Sequence, residues 1–142
     1  MQLQLRPATD QDLSYARDLT RGAMLRYYSE FDLRWEEEGF NQAWVWRDNR
    51  LIEVDGVRQG YVSLSLDSRA LFIRELHLNE CVRGKGVGSW VIDQVVALAR
   101  QRRLPLVRLT VFASNPARYL YLRKGFEQVG IDECFLRMEC KV

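Results

Sequence analysis

Residues 81–90 read CVRGKGVGSW: Gly84, Gly86 and Gly88 stand at alternate positions, with Arg83 and Lys85 beside them and Ser89 after them, directly ahead of a strongly helical run. A strand that gives way to a helix exposes the first four helical N–H groups, which point one way and carry about half a positive charge. An anion can settle on those groups only if the backbone approaches it closely, and a Cβ in the path holds it off. Glycine is the residue such geometry asks for. Arg83 and Lys85 add charge beside the amides, and the Ser89 hydroxyl offers another hydrogen bond. The segment has the make-up of a diphosphate cradle; the plainer alternative is a flexible turn ahead of a helix. A P-loop needs G-x-x-x-x-G-K-[ST], and a dinucleotide fold needs G-x-G-x-x-G early in a βαβ unit with an acid about 20 residues on. R-G-K-G-V-G-S, in mid-chain after several strands, is neither.

The rest of the composition narrows what such a loop can serve. At 142 residues, 47% hydrophobic and 28% charged, the chain fits one globular domain with a sizeable core, residues 1–142. Its net charge of +2 comes from 21 basic and 19 acidic residues that are interspersed, so there is no field of the kind nucleic-acid binders use. Three cysteines (Cys81, Cys134, Cys140) without a C-x-x-C pair, and the single His77, make no zinc set. Reduced thiols in a cytoplasmic protein are expected. No signal-like region or apolar run near the ~20 residues that span a bilayer is found.

The elements that must position the loop follow from periodicity. QLQLRP alternates and stops at Pro7, an edge strand. Thr9 or Asp10 caps a helix from Asp10 to about Tyr28, with Leu13, Ala16, Leu19, Ala23 and Tyr27 at helical spacing and a break at Gly22. A second helix is expected from Trp35 to Arg47, its Glu36, Glu37 and Glu38 complementing the helix dipole and Gly39 weakening it. Residues 50–67 form a hairpin on a type I′ Asp55-Gly56 turn. ALFIRELHL is a further strand; the helix after the glycines carries Val87, Trp90, Val91, Val95 and Leu98 on one face. PLVRLTVF is strand, Asn115-Pro116 opens a short helix that Gly125 closes, and Phe126–Val129 and Cys134–Cys140 are two strands around Gly130.

Arg83, Gly86 and Gly88 fill the pattern [RQ]-x-x-G-x-[GA], and NPARYLYLRKGF (Asn115–Phe126) stands about 30 residues on. With the opening LRPATDQDL, these segments resemble the GNAT N-acetyltransferases, in order and over nearly the whole chain. Only residues about 24–50 have no counterpart in the resemblance. It implies a single-domain α/β (α+β) fold: a mixed, strongly twisted sheet of about seven strands with about four helices, the fourth and fifth strands splayed. It implies acetyl-CoA as co-substrate and no metal. Pantetheine would lie in the splay against the backbone of Leu76, His77 and Leu78, leaving the Leu76 and Leu78 side chains to pack in the core. Pyrophosphate would be held by the amides of Arg83, Gly84, Lys85, Gly86, Val87, Gly88 and Ser89.

Acetylating an amine requires its neutral form, which at pH 7 costs about 4–5 kcal/mol for a lysine-like amine and about 1 for an α-amino group. Glu75 is the candidate base, since alternation puts it on one strand face with Ile73 and His77; an exposed carboxylate paired with an arginine is the alternative. His77 is a second candidate, through water. The resemblance selects Tyr121 to protonate the leaving thiolate, whereas Tyr119 faces another way. Asn115 fits both a cofactor contact and a helix cap, and Lys124 is a candidate for a CoA phosphate. A fourth-strand N–H would stabilise the oxyanion. Tyr27, Tyr28, Phe31, Trp35, Phe40, Trp44 and Trp46, with nearby acids, suggest an acceptor wall for a cationic amine, with Tyr27, Trp35 and Glu75 as substrate contacts; a core role is the alternative. The expected function is transfer of acetyl to a primary amine of a small molecule or peptide, without nucleic acid or membrane, and with a homodimer left open. A non-catalytic acyl-CoA-binding module and a nucleotide-phosphate binder are the competing readings.

Overall fold

In the computed structural model, which describes residues 1–142, the strands are β1 (Leu3–Pro7), β2 (Asp48–Val54), β3 (Val57–Leu66), β4 (Ala70–Leu78), β5 (Leu106–Phe112), β6 (Glu127–Asp132) and β7 (Phe135–Lys141). The helices are α1 (Leu13–Glu30), α2 (Glu37–Trp46), α3 (Val87–Gln101) and α4 (Ala117–Arg123). One mixed seven-stranded sheet runs in the order β1-β2-β3-β4-β5-β7-β6, with β1 at the edge that its terminal proline foretells. The chain divides into two compact units, residues 1–64 with 75–87 and residues 65–74 with 88–142.

In the first unit β1 pairs antiparallel with β2, from Leu3 opposite Val54 to Pro7 opposite Arg50. Asp55 and Gly56 both take positive φ, 51° and 80°, as a type I′ turn demands, and return the chain into β3. The register shifts between Ile52 and Glu53. A single 3₁₀ turn, Asp10–Asp12, precedes α1. There the Thr9 N–H donates to Asp12 Oδ2 at 2.8 Å, while Arg6 and Arg58 pair with the same buried carboxylate at 3.2 and 3.0 Å. Burial favours the neutral acid, but the hydrogen bonds from Arg6, Thr9 and Arg58 outweigh it and hold Asp12 at about 2.

The expected break at Gly22 does not occur. α1 continues to Glu30, because that glycine lies on an open face with nothing within 4 Å of a Cβ position, and the ~1 kcal/mol it costs is covered by a buried face of Ala16, Thr20 and Tyr27. Helix α2 starts two residues later than expected, with Glu36 as its extended N-cap. Tyr61 sits fully buried with Ala16 and Leu51, and Phe40 and Trp44 pack on that cluster.

In the second unit Ala70–Ile73 of β4 run parallel to Leu106–Leu109 of β5. β7 is antiparallel to β5 along its whole length, Leu106 opposite Lys141 through Phe112 opposite Phe135. The buried face of α3 includes Val91, Ile92, Val95 and Ala99; Trp90 and Leu98, expected there, are half-buried at its margins. Gly130 does not separate the last two strands. It lies inside β6 at a register shift, and the reversal falls at Glu133, whose φ is 55°. A glycine inside a strand marks a bulge as readily as a turn, and here the bulge wins.

Candidate functional site

The first unit carries a continuous stretch of candidate residues, from Glu75 on β4 to Val87. Strand alternation puts Ile73, Glu75 and His77 on one face: Ile73 and His77 are buried and Glu75 is half-buried. His77 Nε2 lies 2.9 Å from Glu75 Oε1. A carboxylate can only accept, so Nε2 carries the hydrogen. The alternative of an arginine-paired surface carboxylate is thereby replaced by an internal carboxylate–imidazole pair. Leu76 and Leu78 are half-buried rather than core residues, because their face of β4 is less covered than that of Ile73 and His77.

β4 ends against fixed polar partners. The Asn79 N–H donates to the Gln59 carbonyl at 2.8 Å, its side-chain amide donates to Gln59 Oε1 at 2.9 Å, and the Tyr15 hydroxyl donates to Asn79 Oδ1 at 3.1 Å. Arg58 lies over the Tyr15 ring, 4.0 Å from its centroid. A 3₁₀ turn, Glu80–Val82, leads into the glycine segment. Gly84 and Gly86 take φ of 72° and 83°, left-handed values that L side chains resist, and neither has a heavy atom within 4 Å of its Cβ position. Arg83, Gly84, Lys85 and Gly86 are exposed. An open stretch of backbone is what a diphosphate cradle requires. The Arg83 side chain bends back so that Nε donates to the Leu78 carbonyl at 3.0 Å.

The aromatic residues expected to form a wall separate into distinct environments. Trp46 is 86% exposed and Tyr27 only 4%, its hydroxyl bonded by Arg26, so neither stands in the row that the others make. Tyr28, Trp35, Phe40 and Trp44 follow one another at ring-contact distance and continue to Tyr61 and His77. Burial, and then the charge of Glu75, pushes the Tyr28 and Tyr61 hydroxyls above their ordinary range. Sequence reasoning missed Tyr61. Its position among apolar residues of a central strand reads as core, and only the pairing of Trp44 and His77 with its ring shows what it joins.

In the second unit Tyr121 is buried on α4, edge-to-face with Phe126 at 5.7 Å, while Tyr119 is exposed, so the two do face different ways. Asn115 caps α4 by accepting the Ala117 N–H at 2.9 Å. Lys124 Nζ is paired with Asp93 Oδ1 at 2.7 Å on α3, an anchoring that its place in the sequence did not foretell. Gly88 and Ser89 stand in the first turn of α3, Gly88 buried and Ser89 half-buried. No three His, Cys, Asp or Glu side chains gather as a metal site, and no helix is long and apolar enough to cross a membrane.

Residues 12–126 match the model of the Acetyltransferase (GNAT) family. An uncharacterized N-acetyltransferase of Methanocaldococcus jannaschii is 27% identical over 121 residues, which cover 80% of this chain and 50% of that protein. The chain thus spans about half the length of that curated relative. Among solved structures, the PaiA N-acetyltransferase of Thermoplasma acidophilum in complex with coenzyme A superposes with a TM-score of 0.79 at 16% identity, over 100% of both chains. A GNAT family acetyltransferase of Elizabethkingia anophelis with acetyl-CoA bound superposes with a TM-score of 0.73 at 16% identity, over 99% of this chain and 98% of that one. Both share its fold.

Proposed function

Because the chain belongs to the acetyltransferase (GNAT) family, we propose that it transfers an acetyl group from acetyl-CoA to a primary amine by direct attack, as one catalytic domain over residues 1–142. The observation that carries this reading is the run from Glu75 to Gly86, which joins a hydrogen-bonded carboxylate–imidazole pair to an open, left-handed glycine loop within one compact unit. The loop fits the diphosphate of the coenzyme, since a Cβ at Gly84 or Gly86 would occupy the space that the anion needs.

When bound, acetyl-CoA supplies the activated thioester; the other tasks fall to the protein. The amides of Arg83–Ser89 hold the pyrophosphate, with the Lys85 ammonium beside them, and the backbone of Leu76–Leu78 aligns the pantetheine. Glu75 accepts the proton of the arriving ammonium at its carboxylate, and His77 orients that carboxylate through Nε2–H. Tyr121 donates its hydroxyl proton to the leaving sulfur. Asn115 and Lys124 hold α4 in place through its cap and the Asp93 pair, which favours a supporting role for both over a phosphate contact. The unpaired thiols of Cys81, Cys134 and Cys140 suit a reducing, cytoplasmic setting.

The test is thiol release from acetyl-CoA with and without a panel of amines. Amine-dependent release with stoichiometric N-acetyl product is expected. Coenzyme binding with no amine-dependent release across the panel would overturn the reading.

A further inference from the structure

Rings of the first unit stand in file. Centroid separations are 6.1 Å from Tyr28 to Trp35, 5.8 Å from Trp35 to Phe40, 6.3 Å from Phe40 to Trp44 and 6.0 Å from Trp44 to Tyr61, and the His77 imidazole lies 5.8 Å beyond. His77 then reaches Glu75 at 2.9 Å. At the opposite end, Tyr28 also feels the Glu75 charge, so both ends of the file lie near the same carboxylate. Tyr61 alone is fully buried; Tyr28, Trp35, Phe40 and Trp44 keep part of their surface, and α2, which supplies two of them, buries no residue completely. A purely structural stack would be covered throughout.

Two polar features give the file chemical direction. The Trp35 indole nitrogen is buried and has no hydrogen-bond partner, an unmade bond that proteins seldom leave without a use. Charge is also sparse. Glu37 is engaged by Arg17 at 3.4 Å, Arg17 also donates to Asn41 at 3.0 Å, and the nearby Arg47 adds a second positive charge. Glu75 is the carboxylate that joins the file. A polyamine needs several carboxylates, whereas ring faces with one carboxylate and one open N–H suit a single amine on a flat body with one acceptor atom.

We infer that the acceptor is an arylalkyl monoamine whose ring stacks along Tyr28, Trp35, Phe40 and Trp44, whose ring oxygen accepts from the Trp35 indole N–H, and whose amine reaches Glu75. This rests on the acetyl-transfer reading for its chemistry, but its recognition is separable from it.

The full chain is assayed with acetyl-CoA and 4-methoxyphenethylamine, 4-methylphenethylamine, n-butylamine or spermidine. The expected kcat/KM for either arylalkylamine exceeds that for butylamine and spermidine by about 10-fold or more, from the extra ring area buried. The methoxy compound exceeds its methyl counterpart by roughly 3-fold to 10-fold, the worth of one hydrogen bond. Trp35→Phe keeps the aryl preference and erases the methoxy gain. Spermidine or butylamine used as well as the aryl compounds, or equal rates with the methoxy and methyl amines in the native chain, overturns the inference whether or not the Trp35 variant folds. Calorimetry of the same amines on the CoA-bound protein separates the two readings. Methoxy-selective binding without turnover sinks acetyl transfer and keeps this recognition, and efficient turnover of spermidine does the reverse.

Discussion

His77 Nε2–H donates to Glu75 Oε1 across 2.9 Å, between residues two apart on one face of β4, one buried and one half-buried. The imidazole thus spends its hydrogen on orienting the carboxylate and leaves the carboxylate's second oxygen for a substrate. Glu75→Gln should lower kcat by about 100-fold or more at pH 7 while leaving coenzyme affinity intact, in line with loss of a general base. The deficit should shrink as pH rises toward the amine's own pKa, because solution then supplies the neutral nucleophile. A pH series of initial rates checks this; a deficit that stays constant with pH would assign Glu75 to positioning.

His77→Gln should cost less, about 10-fold, because it perturbs the carboxylate's orientation and leaves the base present. The checking measurement is the same pH series, in which the His77 variant keeps the native shape at reduced height.

Gly86→Glu should abolish coenzyme binding, since it sets bulk and negative charge on the open face of a loop whose φ is 83°. Gly86→Ala should weaken binding by roughly 10-fold, from the ~1–2 kcal/mol that a Cβ costs in the left-handed region. Calorimetric titration with CoA, alongside a melting curve to establish folding, decides both. Native affinity in a folded Gly86→Glu chain would remove the loop from the site.

Tyr121→Phe removes only an oxygen from a buried ring packed against Phe126, so the fold should hold. Turnover should fall about 10-fold to 100-fold with coenzyme affinity unchanged. Single-turnover kinetics would show the loss in the acetyl-transfer step. A native rate would leave Tyr121 as packing alone.

Asp12 gives the acid limb of stability. Its ordinary value is 3.8 and its folded value about 2, so the unfolded chain binds its proton first as pH falls. Its contribution is complete above about pH 4 and is lost as pH drops through 2. The 1.8-unit difference corresponds to about 2 kcal/mol. Urea unfolding at pH 5 and pH 2 should show that loss in the native chain, and Asp12→Asn should flatten this part of the difference.

Much of this was legible in the chain itself because the signals were local. Asp55-Gly56 announces its turn by residue type alone, and Ala70–Leu78 has the same bounds as the strand read from ALFIRELHL. The glycine loop could be read because φ preference is a property of single residues. What stayed hidden depends on partners distant in sequence. Lys124 reads as a free cation until α3 brings Asp93 to it, and Tyr61 reads as core until Trp44 and His77 flank it. Gly22 and Gly130 misled for a related reason: a lone glycine signals a permitted departure from regular structure, and whether the departure happens is decided by what surrounds it.

Gly60 on β3 lies against the backbone of the catalytic strand, where an added Cβ would come within 2.4 Å of the His77 carbonyl oxygen and 3.1 Å of the Leu78 Cα. Any drift from hydrogen at that one position would lever the imidazole, its carboxylate and the onset of the cofactor loop out of alignment together. Evolution can therefore retune the acceptor's shape through the aromatic residues of α1 and α2, but it inherits this close approach as an immovable hinge pin.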